Sequence, residues 1–449
     1  MNAKTVLMLC MGLAVAHAIG APVVSNVQVT QLPDASSCIV TYDLTDGPAI
    51  ITFDVQTNNA SIGGRHLTRV QGDVNRLVSG ASGMFRMFPA EASQGCFSNM
   101  AIPDAKVVVT AWPTNSTPDY MVVDLGVTNS INVNPVSYYP TVDQIPGGIA
   151  NPIYKTEKLV MRRIPAAGVR WRMGSCAGEV GRRINDYNLA REIPHYVTFT
   201  NDYYIGVYEL TQAQYYRFAY DHTYPTPSNF KDAEDSAMRP LENLSWAQMR
   251  GCFNEWHGVW PNLGHEVPSY CPIAKLRLRT GIEFDLPTEA QWEFACRAGC
   301  PSALYTGEEL EPQGYSGTPE YGGRSDALDA LGWYQENSDT GNGLETHVVG
   351  LKLPNDFGLY DMLGNVAEFC LDGYADANSN PSWPYEISVT DPVGPLNTTY
   401  NTARVHRGGS YGDVCQTCRS AFRVTLNGAN TASPTVGFRL WCPVGAPDF

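Results

Sequence analysis

The sequence predicts two folded parts: an all-β sandwich over residues 22–127 and a larger α+β domain over residues 156–445. Three observations support this prediction. The first part is a series of short segments that are β-branched or alternate apolar and polar residues, with turn residues between them. Residues 128–155 are rich in Pro, Asn and Gly, which is typical of a linker. The remainder mixes strand-like segments with amphipathic segments that carry helix-capping residues.

The chain begins with a stretch typical of a secretory signal peptide, which we place at residues 1–18. Lys4 precedes an apolar run that ends in Ala16-His17-Ala18, a favourable cleavage sequence. We therefore expect a secreted protein, either extracellular or periplasmic. No later apolar run approaches about 20 residues, so the sequence predicts no membrane span.

The chain of 449 residues is acidic, with a formal net charge of -15, and 43% of its residues are hydrophobic. This hydrophobic content is enough for a core in each domain. Nucleic acid is not expected as a partner, because its phosphates would be repelled and no basic patch compensates. Solubility is the simplest role for the acidic surface.

The predicted sandwich, of fibronectin or immunoglobulin type, consists of segments with a period of two. These segments are 23–33, 37–45, 48–57, 105–113 and 119–126. Cys38 and Cys96 are the only cysteines of this part. Because cysteines of exported proteins generally form disulfides, a Cys38–Cys96 bridge is expected to stabilise the domain by about 3 kcal/mol.

Three segments of the second domain have helical spacing: 209–221, 245–256 with Ser245 as its N-cap, and one that begins at Thr288. In the third, Glu289 and Glu293 lie four residues apart. They are either a carboxylate pair for acid–base chemistry or structural charges. We favour a helix-start charge for Glu289, since it complements the helix dipole.

The C-terminal segment RGGSYGDVCQTCRSAFR, residues 407–423, concentrates residues that carry chemistry. Gly408 and Gly409 allow a sharp turn that presents Ser410. Cys415 and Cys418 follow in a CxxC spacing. This spacing suits a metal-binding thiolate pair, a redox couple, or two cysteines that each bridge to a different loop.

Several motifs occur together with this segment in a fixed order. They are VYELTQAQYYRF at 207–218, FDLPTEAQWEFACRAG at 284–299, NDFGLYDMLGNVAEFCLDGY at 355–374 and GFRL at 437–440. In this order they resemble the formylglycine-generating enzyme family, also called the sulfatase-modifying-factor domain. The resemblance covers residues 155 to 443 and implies a C-type-lectin-like fold with irregular loops.

The resemblance implies a calcium site in the LYDMLGNVAEF motif. Its ligands would be the Asp361 side chain, the carbonyl groups of Gly364 and Val366, and the Glu368 side chain. Calcium prefers such oxygen ligands. The structural alternative is that Asp361 caps a turn and Glu368 pairs with an arginine.

The resemblance also implies an oxidase that binds copper(I) between two thiolates and converts a protein cysteine to formylglycine. Cys418 matches the second thiolate, but Asp413 stands at the position of the first. A carboxylate is a hard ligand and does not replace a thiolate for copper(I), so Cys415 would have to move in. Ser410 would line the substrate groove. Ala367 stands where the family usually has a Trp that lies by the active site.

Disulfides are the alternative fate of these cysteines. Removal of Cys10 with the signal peptide leaves 11 of the 12 cysteines, an odd number. The resemblance pairs Cys271 with a cysteine of the closing strand, near Cys442. Our first choice for a further bridge is Cys370 with Cys418.

Two functions follow from these observations. We favour a non-catalytic, calcium-stabilised and disulfide-linked module that binds a protein, peptide or glycan beside RGGSY. The alternative is a copper-dependent oxidase that uses Cys418, Cys415 and Ser410. The choice depends on whether the two cysteines are free thiols.

Overall fold

The structure is a computed structural model, and some segments of the chain fall outside its description. It describes residues 21–32, 37–61, 67, 69–88, 104–126, 135–182, 192–219, 227–251, 267–311, 323–374, 388–393, 403–426 and 428–445. The predicted signal peptide and Cys96 lie outside these ranges. The chain divides into two compact units: unit 1 is Met1–Val123, Ser130–Tyr154 and Val444–Phe449, and unit 2 is Asp124–Asn129 and Lys155–Pro443.

Unit 1 is built from antiparallel strands. They are β1 (Val23–Gln31), β2 (Cys38–Thr45), β3 (Ala49–Thr57), β4 (Ala60–Ser61), β5 (Val70–Gly72), β6 (Arg76–Val78), β7 (Ser82–Met87), β8 (Lys106–Pro113), β9 (Tyr120–Asp124) and β10 (Val136–Tyr139). One sheet has the order β1-β2-β7-β5; a second has the order β4-β3-β6, with β8 also paired to β3. β9 pairs with β10.

The two larger sheets of unit 1 share one apolar core. Alternate residues of β2 point into it, among them Val40 and Tyr42, and they meet Ile51 and Phe53 of β3. Burial of one such side chain stabilises a fold by about 1.5–3 kcal/mol. The predicted strand pattern of period two is therefore observed, whereas a fibronectin- or immunoglobulin-type sandwich stays a prediction.

Unit 2 is rich in strands and has few helices among its described residues. The strands are β11 (Lys158–Ile164), β12 (Arg170–Met173), β13 (His195–Thr198), β14 (Tyr203–Gly206), β15 (Ala367–Gly373), β16 (Ser388–Thr390), β17 (Arg404–Arg407), β18 (Arg423–Leu426), β19 (Val436–Gly437) and β20 (Trp441–Pro443). They form the sheet segments β11-β14-β20, β12-β13-β16 and β18-β17-β15-β19. The protein is thus a mixed α/β structure.

The helices are short. The first, α1 (Ile153–Thr156), leads from unit 1 into unit 2; the others are α2 (Gln212–Ala219), α3 (Trp246–Arg250), α4 (Pro272–Thr280), α5 (Glu289–Arg297) and α6 (Asp326–Asp329). In the described ranges, none is long and apolar enough to cross a membrane.

The predicted starts of two helices are confirmed. Ser245 caps α3 and Thr288 caps α5, each in a reciprocal capping box with the residue three positions later. The helix predicted at 209–221 is shorter, because Leu210 is still in an extended connection and its N–H donates to the Phe438 carbonyl. α3 also ends before the predicted position, at Arg250.

Candidate functional site

The turn after β17 forms the centre of the candidate site, and it requires its two glycines. Gly408 and Gly409 have φ values of 95° and 73°, a region that favours glycine. A Cβ atom on Gly409 would lie 2.5 Å from the Cys418 Sγ, and one on Gly408 would lie 3.1 Å from the Met362 carbonyl oxygen. The turn therefore presses its backbone directly against the Cys418 thiol.

Neighbouring loops hold this turn in place through backbone groups. The Gly364 N–H donates to the Gly408 carbonyl at 2.9 Å, and the Tyr411 N–H donates to the Asn365 carbonyl at 2.8 Å. On the other side, the Ser338 hydroxyl donates to the Tyr411 carbonyl at 2.7 Å. The LGN part of the motif at 355–374 thus positions the RGGSY segment.

Within the turn, Ser410 is bonded to a carboxylate. Its hydroxyl donates to Asp413 Oδ2 at 2.6 Å and accepts the Gly412 N–H at 3.3 Å. Burial raises the pKa of Asp413 above its ordinary value, although the bonds from Ser410 oppose this shift. Ser410 is fully buried. Its hydroxyl therefore bonds to Asp413, the residue at which the resemblance implies the first thiolate.

Cys415 and Cys418 lie together at a short 3-10 turn, Cys415–Thr417. The Cys418 N–H donates to the Cys415 carbonyl at 3.1 Å, and the two residues are 0% and 1% exposed, respectively. Burial raises the pKa of Cys415 to about 11 and that of Cys418 well above its ordinary value. Both groups are therefore neutral thiols at physiological pH, and both are enclosed by protein.

The two carboxylates that the resemblance implies for calcium already hold other groups. Glu368 Oε1 accepts from Arg439 Nη2 at 2.6 Å, and its Oε2 accepts from Trp292 Nε1 at 2.5 Å. Asp361 Oδ2 accepts the Gly350 N–H at 2.6 Å, while its Oδ1 has no hydrogen-bond partner among the described residues. Glu368 is thus the partner of an arginine, which is the structural alternative.

The two carbonyl residues of this set lie in the connection that leads into β15. Gly364 has a φ of 89°, and the Val366 N–H donates to Glu209 Oε1 at 3.0 Å. Within the described ranges, no group of three or more His, Cys, Asp or Glu side chains is arranged to hold a metal ion. Calcium binding stays a prediction.

The carboxylates of α5 are structural charges. Glu289 accepts from Arg423 through both oxygens, at 2.6 and 2.7 Å. Glu293 accepts from Arg297 at 2.8 Å and also contacts the Arg407 guanidinium. Although burial alone would raise it, Arg297 and Arg407 lower the pKa of Glu293. Glu289 and Glu293 are therefore partners in buried ion pairs, which is the structural interpretation of their spacing.

We define these groups together as the ion-pair frame of unit 2. Its members are Glu289, Glu293, Glu368, Arg407, Arg423 and Arg439.

A comparison with known protein families identifies the family of this domain. The family described as "Sulfatase-modifying factor enzyme 1-like domain" matches residues 170–442, more than half of the chain. The chain belongs to this family.

Individual relatives in the family cover the chain only in part. The formylglycine-generating enzyme of Thermomonospora curvata is 37% identical over 158 residues, which is 34% of this chain and 48% of that protein. The chaperone protein LppX of Paenibacillus barcinonensis is 27% identical over 242 residues, covering 47% of this chain and 75% of that protein. The chain thus spans about half the length of the formylglycine-generating enzymes it matches.

A solved structure, Treponema denticola variable protein 1, is 26% identical and covers 64% of this chain and 95% of that chain. Its TM-score is 0.43.

The predicted disulfides of this family domain are absent. Cys271, Cys370, Cys418 and Cys442 are all unbridged, so the predictions of Cys370–Cys418 and Cys271–Cys442 are wrong. The Cys271 sulfur instead caps α4 by accepting the Ala274 N–H at 3.4 Å, and the Cys418 sulfur lies against Gly409. The Cys38–Cys96 prediction lies partly outside the described residues.

Sequence reasoning missed Glu209, a buried carboxylate at the centre of the domain. Its Oε1 accepts the Val366 N–H at 3.0 Å and its Oε2 accepts Asn365 Nδ2 at 2.7 Å. Burial, with Asp361 and Glu368 nearby, raises the pKa of Glu209 well above its ordinary value. Its place in the VYELT motif was the available signal, but the helical spacing of 209–221 obscured it.

Proposed function

We propose that this chain is a binding member of the family rather than a cysteine oxidase. The Ser410–Asp413 hydrogen bond of 2.6 Å carries the proposal. Asp413 stands where the family resemblance requires the first thiolate, and a carboxylate is a poor ligand for copper(I). The hydroxyl of Ser410 donates to this carboxylate and fixes it in the turn. The position therefore carries an oxygen group in place of the sulfur that copper(I) prefers.

The enclosure of the two thiols supports the same proposal. Oxidation of a substrate cysteine needs the reactive centre to meet a side chain from another protein. Cys415 and Cys418 are 1% and 0% exposed, and their raised pKa values keep them protonated. A thiol in this state is a weak nucleophile and a weak metal ligand until it loses its proton.

The chemistry around Tyr411 favours a peptide with a cationic side chain as the ligand. The Phe230 and Tyr411 rings meet edge to face with centroids 5.5 Å apart. Burial, with Glu242 and Asp413 nearby, raises the pKa of Tyr411 to about 12. Aromatic rings beside carboxylates attract lysine and arginine side chains. Glu242 is buried and accepts from Ser228 and from the Asn229 N–H, so the partly exposed Asp413 is the carboxylate that such a side chain would meet.

Two further features belong to the same proposal. We take unit 2 to have the C-type-lectin-like core and unit 1 to be the β-sandwich, in a protein exported by residues 1–18. One relative is named as a chaperone protein, which supports a binding role for this chain. The proposal does not require calcium at Glu368.

The alternative remains a copper-dependent oxidase, and one observation favours it. Cys415 and Cys418 are both unbridged, and Cys415 lies close enough to contribute to the raised pKa of Cys418. Two soft sulfur ligands suit copper(I), which would supply oxygen activation when bound. Cys415 and Cys418 would hold the ion, and Ser410 would orient the substrate.

Copper(I) titration against a competing chelator distinguishes the two functions. The wild type is compared with Asp413→Cys, which restores a thiol at the first position, and with Asp413→Asn as the matched control. We expect no stoichiometric copper in the wild type or in Asp413→Asn, and tight binding in Asp413→Cys. One tightly bound copper in the wild type that is lost in both Cys415→Ala and Cys418→Ala would support the oxidase.

The ligand is tested by fluorescence anisotropy with a lysine-containing peptide and its glutamate counterpart. We expect the lysine peptide to bind more tightly, and Asp413→Asn to weaken it about tenfold, since a charged hydrogen-bonding partner contributes about 1.5 kcal/mol. Glu336→Gln, which changes an exposed carboxylate of a neighbouring loop, is the control. Equal binding of the two peptides would contradict a cationic ligand.

A further inference from the structure

Unit 1 contains a cavity of about 130 Å3 that none of the family motifs touches. Its walls come from four separate parts of the unit: β3, Leu67 with the start of β5, the turn before β6, and the segment from β10 to Pro146. The side chains that matter for the argument are Phe53, Val74, Asn75, Ser137, Tyr139 and Gln144. The cavity is independent of the loop at 408–418 and of the function proposed for it.

Backbone hydrogen bonds fix the walls before any ligand arrives. The Asn75 N–H donates to the Ile51 carbonyl at 2.6 Å, and the Asn75 carbonyl accepts the Tyr138 N–H at 2.9 Å. Asn75 therefore joins β3 to β10 across the cavity. At the far end, the Tyr154 hydroxyl donates to the Pro146 carbonyl at 2.7 Å. Because the walls are already ordered, a ligand that binds here causes little further loss of conformational entropy.

The lining is polar but uncharged. Two amides, Asn75 and Gln144, and two hydroxyl groups, Ser137 and Tyr139, face apolar wall residues such as Phe53. Burial raises the pKa of Tyr139 to about 12, so its phenol stays neutral. An ionic ligand would lose its hydration here without gaining a counter-charge, which is unfavourable. The lining therefore selects a neutral ligand with hydrogen-bonding groups.

One polar atom of the lining is unsatisfied. Gln144 Oε1 is buried and has no hydrogen-bond partner among the residues that the structure describes. A buried acceptor without a partner costs about 1–3 kcal/mol, so a ligand that donates a hydrogen bond at this point recovers that cost. The cavity thus needs a donor, such as a hydroxyl group, next to Gln144.

The volume limits the part of the ligand that enters to about one ring. The cavity is slightly smaller than one of about 150 Å3 that is known to hold benzene, so a hydroxylated ring would enter in part and keep some hydroxyl groups at the opening. The Phe53 and Tyr139 side chains line the cavity beside the two amides, and the Tyr139 hydroxyl is hydrogen-bonded to Ser137. We propose that unit 1 binds a neutral polyhydroxylated six-membered ring, the chemistry of one pyranose unit of a glycan.

Saturation-transfer NMR and calorimetry on the full chain test this assignment. The probes are methyl glycosides of glucose, galactose, mannose and N-acetylglucosamine, with glucuronate and glucosamine as charged counterparts. At least one neutral probe should bind more tightly than both charged ones. Absence of binding by every neutral probe, or preference for a charged one, would overturn the proposal; a cavity that holds only water gives the first result.

Variants locate the binding. Gln144→Ala should weaken the best neutral probe about tenfold, and Ser137→Phe, which fills the cavity, should abolish binding. Gln71→Ala changes an exposed glutamine of β5 in the same unit and should leave affinity unchanged. Thermal unfolding verifies that each variant is folded, and Gln144→Ala decides the matter if Ser137→Phe does not fold. If Gln144→Ala bound the probe with unchanged affinity, the probe would bind elsewhere and the assignment would be wrong.

Discussion

The ion-pair frame and the loop at 408–418 lie in the same unit but differ in the partners of their ionisable groups. In the frame, Glu289 and Glu368 each meet an arginine through both carboxylate oxygens. In the loop, the Asp413 carboxylate accepts from the Ser410 hydroxyl, and burial raises the pKa of the Cys418 thiol. The frame is therefore built from paired charges, whereas the loop is built from a carboxylate with a neutral partner and a thiol.

This difference predicts how substitutions in the two regions affect stability. A buried charge that loses its partner is strongly destabilising, so substitutions in the frame are expected to destabilise the fold. In the loop, the Asp413 carboxylate instead accepts from the neutral Ser410 hydroxyl. We therefore expect substitutions in the loop to cost less stability than substitutions in the frame.

The largest effect is expected when the frame loses a cation. Arg439→Ala leaves Glu368 buried without its partner and removes donors to the Gly206 and Val207 carbonyls. The free energy of unfolding should fall by about 3–5 kcal/mol, as measured by urea denaturation.

The matched control is Arg324→Ala. Arg324 pairs with Asp329, but its side chain is 64% exposed and the pair is screened by solvent, so the loss should be much smaller than in Arg439→Ala. Similar losses in the two variants would remove the distinction between frame and surface.

An intermediate effect is expected from the turn. Gly409→Ala places a methyl group against the Cys418 sulfur and strains a positive φ, which should cost about 1–3 kcal/mol in urea denaturation. Gly412→Ala is the control, since the nearest atom to its Cβ would be Thr435 Cγ2 at an ordinary 3.7 Å. A neutral Gly409→Ala would mean that the turn is not fixed by its contact with Cys418.

A smaller, pH-dependent effect is expected at Asp413. Because its folded-state pKa is raised, the folded protein binds the Asp413 proton more tightly than the unfolded chain does. Stability is therefore lost as pH rises through the folded pKa, and Asp413→Asn, which cannot ionise, avoids that loss. The variant should be more stable than the wild type by up to about 1 kcal/mol at neutral pH, with no gain below the ordinary pKa.

Urea denaturation across the pH range measures this difference. A gain in Asp413→Asn that grows towards acidic pH would show that the carboxylate is stabilised in its charged form.

The smallest effect concerns calcium and Glu368. If Glu368 serves only as the partner of Arg439, removal of calcium by a chelator should change the stability of the wild type and of Glu368→Gln equally, within about 0.5 kcal/mol. Differential scanning calorimetry of the two proteins with and without chelator measures this. A chelator effect that disappears in Glu368→Gln would restore the calcium site predicted from the motif.

Local features were predictable from the sequence because local rules determine them. The capping boxes at Ser245 and Thr288 and the turn at Gly408 and Gly409 depend on residues within a few positions of one another. The motif order was sufficient to identify the family.

The chemical state of the site was not predictable, because it depends on contacts distant in sequence. Glu368 meets Arg439, 71 positions away, and no local pattern in the sequence shows that contact. The disulfide predictions were wrong because the number of cysteines does not show which sulfur caps a helix, as Cys271 does, or lies against a glycine. The cavity of unit 1 likewise joins Phe53, Asn75 and Ser137, which show no shared pattern.

The measurement that tests the central claim most directly is aldehyde formation on a cysteine-containing peptide by the copper-treated protein, followed by mass spectrometry. Our account predicts no aldehyde with the wild type, because Asp413 occupies the position of the first thiolate and the remaining thiols are enclosed. Aldehyde that forms with the wild type, and is lost in Cys418→Ala, would contradict it and identify the protein as an active oxidase.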